Sequence, residues 1–269
     1  MAPSNAPFGL PVVPARPAAT TLVLRDGAAG LEVLMVRRSL QASFMPGAYV
    51  FPGGAVDAAD ALAAPLCDEP AAALAARIGR VAQVGEQALA FAVGGLRECF
   101  EECGLWLGAA SAGAADWPAL RARLHGGEPL QGLAAAAGLR LHTSVLQPFS
   151  HWVTPLGLPK RFDTLFFVAL APPGQVPEVD AGETTTLAWV NPAQALDDRR
   201  RGEFPMEFAT VSTVRQLLPF GSAAALLAHA AGLSSLPPLH PRLTLGADGR
   251  PSGVLLPGQP GYDDLWGDG

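Results

Sequence analysis

Three glutamates, Glu98, Glu101 and Glu102, lie within five residues of a stretch that is otherwise mostly small and apolar. Residues three and four apart share a face of a helix, so a helix here places the three carboxylates on one stripe. Like charges on one stripe repel each other, and a divalent cation removes that repulsion. Magnesium and manganese ions prefer carboxylate oxygens and are commonly shared with substrate phosphates. The spacing therefore predicts a site for Mg²⁺ or Mn²⁺, with a solvated acidic face as the alternative.

A glycine-rich turn lies upstream of the glutamates, directly after an apolar, β-prone run at residues 48–50. Residues 51–54 read Phe-Pro-Gly-Gly. Two adjacent glycines let a backbone carbonyl approach a ligand or a metal without obstruction by a side chain. We therefore expect the carbonyl of Gly53 or Gly54 to assist the glutamates. An ordinary glycine turn is the alternative.

Together the two segments resemble the signature of the Nudix hydrolases, which is a glycine, five residues, an acid, a spacer, and Arg-Glu-apolar-x-Glu-Glu-x-Gly-apolar. Residues 97–105 fill the second half without exception, whereas Asp60 stands where the family usually has glutamate. The spacer, residues 61–96, is 36 residues long where the common pattern has seven. A long insertion at this point resembles the branch of the peroxisomal coenzyme A diphosphatases and their bacterial relatives. Three further sequence segments resemble this branch: residues 44–54, 152–155 and 161–167.

The resemblance implies an α/β fold, a Nudix-type α/β/α sandwich with a mixed β-sheet and helical insertions. We expect residues 1–19 to form a flexible N-terminal segment and residues 20–269 a single Nudix domain. The elaborations expected on this domain are insertions at residues 61–85 and 106–141 and a C-terminal helical and hairpin extension at residues 204–269. The first insertion is predicted to form a short helix near residues 71–80 and to cover one side of the cleft.

The resemblance implies metal-dependent hydrolysis of a pyrophosphate linkage in a nucleoside diphosphate derivative. The first candidate substrate is coenzyme A or acyl-coenzyme A. NADH, ADP-ribose, nucleotide sugars and dinucleotide polyphosphates remain open as substrates. A Nudix-fold ligand-binding module with weakened catalysis is a second hypothesis, favoured by Asp60 and by the stretched spacer. The intact Arg-Glu-x-x-Glu-Glu favours an enzyme, because a binding module does not need three crowded acids. A purely structural α/β protein is the third hypothesis.

The predicted catalytic residues are Arg97, Glu98, Glu101 and Glu102. The three glutamates hold the metal, with help from Gly53, and one of them acts as general base. Arg97 is expected to orient a carboxylate through a bidentate pair rather than to contact substrate. The resemblance also implies a further acidic ligand at Glu183, for which a solvated loop charge is the alternative.

Arg161, at the start of a predicted strand, is the preferred contact for a substrate phosphate. Arg37 and Arg38 close an earlier strand, where an exposed strand end and a phosphate-facing role are the two alternatives. Phe44 and Trp152 are expected to line an apolar groove for a pantetheine arm. His151 lies beside Trp152, and we interpret it as a structural histidine.

Composition indicates a globular protein, since 49% of the 269 residues are hydrophobic and 16% are charged. The net charge of −6 argues against a protein that coats nucleic acid. Three cysteines provide no disulfide framework and suit a reducing compartment. We find no membrane span or export signal and expect a cytoplasmic enzyme whose partner is a small-molecule substrate. A homodimer is left open.

Hydrophobic periodicity and turn residues predict the remaining elements. Strands are predicted at residues 21–25, 31–38, 48–51, 149–153, 163–170 and 184–190, and a hairpin at residues 243–256. Helices are predicted at residues 86–103, 117–124, 130–137, 193–201 and 207–218.

Overall fold

The computed structural model of the protein describes residues 12–41, 45–108, 115–180 and 184–265. Within these residues seven strands form one mixed sheet and two more form a separate hairpin. The sheet consists of β1 (Arg16–Gly27), β2 (Gly30–Arg38), β3 (Tyr49–Val50), β4 (Gly53–Ala55), β5 (Gln147–Val153), β6 (Phe162–Leu170) and β7 (Thr184–Val190). The hairpin consists of β8 (Arg242–Leu245) and β9 (Pro251–Leu255).

Strand β1 lies at the centre of the sheet. It pairs in parallel with β6, and its second half pairs antiparallel with β2 across the tight turn that follows Gly27. Its first half pairs with β4 instead, from Ala18 to Thr20. Strand β5 flanks β6, while β3 and β7 both pair with β2. The short β4 therefore lies next to the middle of the sheet, where it can present its glycines to a helix above.

The helices are α1 (Ala71–Leu74), α2 (Ala88–Cys103), α3 (Trp117–His125), α4 (Leu130–Ala136), α5 (Pro192–Arg200), α6 (Phe208–Leu217) and α7 (Ala223–Ala231). They cover both faces of the sheet. Successive strand residues point to opposite faces, so Val23 packs with α2 while Leu22 and Leu24 pack with α6 and α7. The two apolar layers confirm the predicted α/β class and the helix–sheet–helix sandwich.

Two glycines in the middle of α2 allow the helix to lie close to its neighbours. A Cβ atom on Gly94 would lie 3.2 Å from Oδ2 of Asp60, and one on Gly95 would lie 3.1 Å from Oγ1 of Thr21. The Thr21 hydroxyl donates a hydrogen bond to the Gly95 carbonyl at 3.1 Å. Helix α2 ends at Cys103, as predicted, and Gly104, which follows it, has a left-handed conformation with φ of 68°.

Most predicted elements are present within a few residues, with three differences. Strand β1 begins at Arg16, inside the segment expected to be flexible. The Gly53-Gly54 pair belongs to strand β4 rather than to a simple turn. Helix α7 was not predicted; it begins after Ser222, whose side chain accepts a hydrogen bond from the Ala225 N–H.

No helix in the described ranges is both long enough and apolar enough to cross a membrane. Cys67, Cys99 and Cys103 are all buried and unpaired, as expected from a sequence without a disulfide framework.

Candidate active site

The last two turns of α2 carry the acidic residues to the floor of a cleft of about 770 Å³. Glu98, Glu101 and Glu102 all line it. The side chain of Glu98 is 14% exposed and that of Glu101 is 22% exposed, and Glu102 is buried. These carboxylates are therefore largely removed from water, unlike a solvated acidic face.

One buried guanidinium, that of Arg97, donates hydrogen bonds to three neighbouring carboxylates. Arg97 grips Asp60 with two nitrogens, from Nε to Oδ1 at 3.0 Å and from Nη2 to Oδ2 at 3.2 Å. Its Nη1 donates to Glu98 at 2.8 Å and to Glu101 at 2.7 Å. Nη2 also donates to the carbonyl of Ala55 at 2.6 Å. The bidentate carboxylate pair predicted for Arg97 is thus present, and it also ties α2 to the end of β4.

The glycines of β4 permit the close approach of the carboxylates. The N–H of Gly53 donates to Oε2 of Glu102 at 3.0 Å. A Cβ atom on Gly54 would lie 2.6 Å from the Glu98 carboxylate, so any other residue at this position would displace it. A Cβ atom on Gly53 would collide with Thr20 of β1. The backbone of Gly53 therefore contacts a glutamate through its N–H, whereas the sequence predicted a contribution through a carbonyl.

Burial shapes the electrostatics of the site. It raises the pKa of Glu98 to about 7, against the opposing effect of the Arg97 charge. Burial also raises the pKa of Glu101 and that of Asp60, again against Arg97. A single arginine thus shares its charge among three desolvated carboxylates. These carboxylates outnumber the one guanidinium that contacts them, and a bound cation would supply further positive charge.

The donor set fits a hard divalent cation, although the side chains are engaged with protein donors. In the parts of the chain that the structure describes, no three His, Cys, Asp or Glu side chains converge as a set of metal ligands. Arg97 engages one oxygen of Glu98 and one of Glu101, which leaves the second oxygen of each carboxylate for a ligand. Desolvated carboxylate oxygens are the ligands that Mg²⁺ and Mn²⁺ prefer.

Some of the residues predicted to bind substrate reach the cleft and others do not. Arg38 lines it. Arg37 instead donates to the Gly47 carbonyl at 3.2 Å and lies over the ring of Tyr49. Phe44 and Glu183 fall outside the described residues, so their predicted roles stay predictions.

Arg161 and Trp152 both lie in the interior of the protein. Arg161 is buried and donates to the carbonyls of Thr154 and Val13 at 2.9 and 2.8 Å. Trp152 is buried in the core between the sheet and α6, with its ring edge-on to Phe208. Neither is among the described residues that line the cleft, so these placements do not support the predicted phosphate and pantetheine contacts.

The first insertion packs behind α2 and does not cover the cleft, contrary to the prediction. Leu74, Ile78 and Ala82 are fully buried in the apolar layer that includes α2. No described residue between 61 and 85 lines the cleft. The predicted short helix is present as α1, and a wider π-helical turn, Ala75–Gly79, continues it. The buried residues of the insertion, Leu74, Ile78 and Ala82, are four apart. This spacing is typical of a helix face that packs on the core.

Residues that sequence reasoning did not select also line the cleft, among them Lys160, His125 and Asp180. Lys160 is the single lysine of the chain and stands next to Arg161, so its charge was a signal that could have been used. His125 ends α3, and its Nε2 lies 3.0 Å from the carbonyl of Glu101. Its proximity to the glutamates depends on the packing of α3 and is invisible in the sequence.

His151 has the structural surroundings that the sequence predicted. It is buried, with Nε2 at 2.5 Å from Oδ1 of Asp163 and Nδ1 at 3.0 Å from the carbonyl of Ala82. These contacts link β5 and β6 to the segment that follows α1.

Comparison with known proteins adds an independent line of evidence. No family model matches the chain. The chain is 31% identical to the acyl-coenzyme A diphosphatase NUDT19 of Homo sapiens over 283 aligned positions, which cover 87% of this chain and 73% of the human protein. It is 28% identical to the acyl-coenzyme A diphosphatase NUDT19 of Gallus gallus over 226 positions, 64% of this chain and 57% of that relative.

Among solved structures, the fold is similar to the crystal structure of a Nudix hydrolase from Alicyclobacillus acidocaldarius. The TM-score is 0.68 at 30% sequence identity, and the match covers 80% of this chain and 96% of the other. The likeness therefore extends well beyond the acidic helix to most of the chain.

Proposed function

The chain belongs to the Nudix hydrolase family, and we propose that it hydrolyses the pyrophosphate linkage of coenzyme A or of an acyl-coenzyme A. The observation that carries the substrate class is the likeness to the human acyl-coenzyme A diphosphatase over 87% of this chain. The long spacer between Asp60 and Arg97 is the sequence feature that accompanies it. The carboxylate floor of the cleft supports hydrolysis of a phosphoanhydride.

Glu98, Glu101 and Glu102 would hold a divalent cation, Mg²⁺ or Mn²⁺. When bound, such a cation screens the negative charge of the pyrophosphate and makes a water molecule more acidic. Arg97 keeps Glu98 and Glu101 in place through its hydrogen bonds, while the Gly53 N–H does the same for Glu102. The arginine is a positioning residue, because the carboxylates and the Ala55 carbonyl take up its nitrogens.

The chemical step follows from these placements. A water molecule attacks one phosphorus of the pyrophosphate, and one of the three glutamates takes its proton. The bond between that phosphorus and the bridging oxygen breaks, and the second phosphate leaves with the electron pair. Coenzyme A would give 3′,5′-ADP and 4′-phosphopantetheine. Arg38 and Lys160, which line the cleft, are the cations that we assign to the substrate phosphates, in place of Arg161.

A substrate comparison tests the proposal. Coenzyme A, octanoyl-coenzyme A, dephospho-coenzyme A, NADH, ADP-ribose and diadenosine polyphosphates are incubated with the protein under Mg²⁺ and under Mn²⁺. We expect kcat/KM to be highest for coenzyme A or its acyl form and activity to vanish with EDTA. If ADP-ribose or a dinucleotide is turned over faster than coenzyme A, the assignment of coenzyme A as substrate is refuted, whereas the assignment of pyrophosphate hydrolysis stands.

A further inference from the structure

A second groove, of about 510 Å³, lies beside the catalytic cleft. His125 and Asp180 line both, so the two spaces adjoin. The apolar part of the groove comes from Phe100, Trp117, Pro118, Ala122, Val176 and Val179. Its volume falls within the roughly 300–1,000 Å³ of small-molecule sites. A substrate that is bound in the cleft and extends beyond it on this side would enter the groove.

The walls of the groove are held by hydrogen bonds rather than left mobile. The side chain of Gln175 accepts from the Trp106 N–H at 2.9 Å and donates to the Trp106 carbonyl at 3.0 Å. The N–H of Glu178 donates to the Cys103 carbonyl at 2.9 Å. Arg121 joins the two sides, since it donates to the carbonyls of Glu101 at 2.8 Å and Val179 at 3.3 Å. Val176 nevertheless remains 78% exposed, which leaves an apolar side chain uncovered at the rim of a fixed groove.

We propose that this groove binds the acyl chain of acyl-coenzyme A, a proposal that rests on the function proposed above for the adjoining cleft. The substrate has an anionic end, the 3′-phosphoadenosine, and an apolar end, the acyl chain. Glu178 and Asp180 lie along the groove, and their carboxylates disfavour the anionic end. Trp117, Val176 and Val179 favour the apolar end, because covering them removes apolar surface from water.

Arg121, which lines the groove, also carries a buried donor. Nη2 of Arg121 is buried without a hydrogen-bond acceptor in the described part of the chain. Buried polar groups normally have a partner. Arg121 is 9% exposed and lines the groove. The thioester carbonyl at the head of an acyl chain is the kind of acceptor that this donor lacks.

The test measures binding without turnover, by isothermal titration calorimetry in EDTA with coenzyme A and octanoyl-coenzyme A. We expect the unmodified protein to bind octanoyl-coenzyme A at least tenfold more tightly, the effect of burying about two methylene groups. Ala122→Phe fills the groove from an exposed position of α3 and should abolish this preference. Val176→Asp, at an exposed loop position, should reduce it by a second route that does not depend on α3.

Ala119→Phe is the matched control, because Ala119 is exposed on the same helix and is not among the residues that line the groove. It should keep the preference. Equal affinities for the two ligands in the unmodified protein, or the same preference in all variants, would overturn the acyl-chain site. Hydrolysis of both ligands in Mg²⁺ is measured in parallel. Turnover without a binding preference would refute the groove alone, whereas preference without turnover would refute the proposed function and leave the groove standing.

Discussion

The substitution Arg97→Met tests whether the site depends on one shared positive charge. It preserves an apolar stem of similar length and removes every hydrogen bond that the guanidinium makes to Asp60, Glu98 and Glu101. Arg97 is 6% exposed and Asp60 is 1% exposed, so water cannot replace the lost partner. Removing one member of a buried ion pair typically costs about 3–5 kcal/mol of unfolding free energy, because the other charge is left uncompensated. For a domain of this size that corresponds to a fall in Tm of roughly 6–20 °C.

The assay is thermal unfolding followed by circular dichroism at pH 7.5 in EDTA, with hydrolysis of coenzyme A in Mg²⁺ measured alongside. Arg123→Met is the matched control, since Arg123 forms a comparable pair with Glu128 in which both side chains are about half exposed. The control should change Tm little. A second variant that combines Arg97→Met with Asp60→Asn should regain part of the lost stability, because it removes the stranded charge. If Arg97→Met unfolds at the temperature of the control, the shared-charge reasoning is wrong.

Four further predictions concern the carboxylates of the cleft and the neighbouring cations Lys160 and Arg161. Glu102→Gln should lower kcat by at least a hundredfold while the fold survives, because the amide oxygen can still accept from the Gly53 N–H but no longer carries a charge for the cation; stopped assays in Mg²⁺ and circular dichroism check this. The pKa of Glu98 is raised by burial from 4.5 to about 7, so the folded state binds more protons than the unfolded state and stability falls as pH rises through this window. Glu98→Gln should therefore raise Tm in EDTA at pH 8 and change it much less at pH 4.5, and an equal shift at both pH values would contradict the burial argument. Lys160→Ala should lower kcat/KM about tenfold, the loss of one charge-assisted phosphate contact, without lowering Tm. Arg161→Ala should instead lower Tm, since Arg161 is buried against backbone carbonyls; the reverse pattern would restore Arg161 as the phosphate ligand.

The elements of the site could be predicted from the sequence because their signals are local. The stripe of apolar residues and the terminal glycine define α2 and its end at Gly104. The spacing of Glu98, Glu101 and Glu102 determines their common face. The bidentate partner of Arg97 was predicted as a type, a carboxylate, because Arg97 lies one residue off the stripe of glutamates. Its identity as Asp60 depends on the packing of the segment after β4.

Sequence alone does not decide the placement of a side chain where distant segments pack together. Arg161 and Lys160 are adjacent in sequence and differ in placement, since one lies buried against Thr154 and the other lines the cleft. Charge and position in the chain do not distinguish them. The groove proposed for the acyl chain could not be predicted from the sequence either, because it forms where α3 meets the loop that contains Gln175.

Two departures from the family signature, Asp60 and the long spacer, favoured a binding module with weakened catalysis, and the structure shows how both are accommodated. Asp60 is a methylene shorter than glutamate, and the absence of a side chain at Gly94 lets the segment that carries it lie against α2. Its carboxylate consequently reaches the Arg97 fork at 3.0 Å. The spacer leaves this segment and packs in the apolar layer that includes α2, where Leu74 and Ile78 are buried, and none of its described residues lines the cleft. The insertion therefore lengthens the chain between Asp60 and Arg97 without separating their side chains, which remain joined by the bidentate pair.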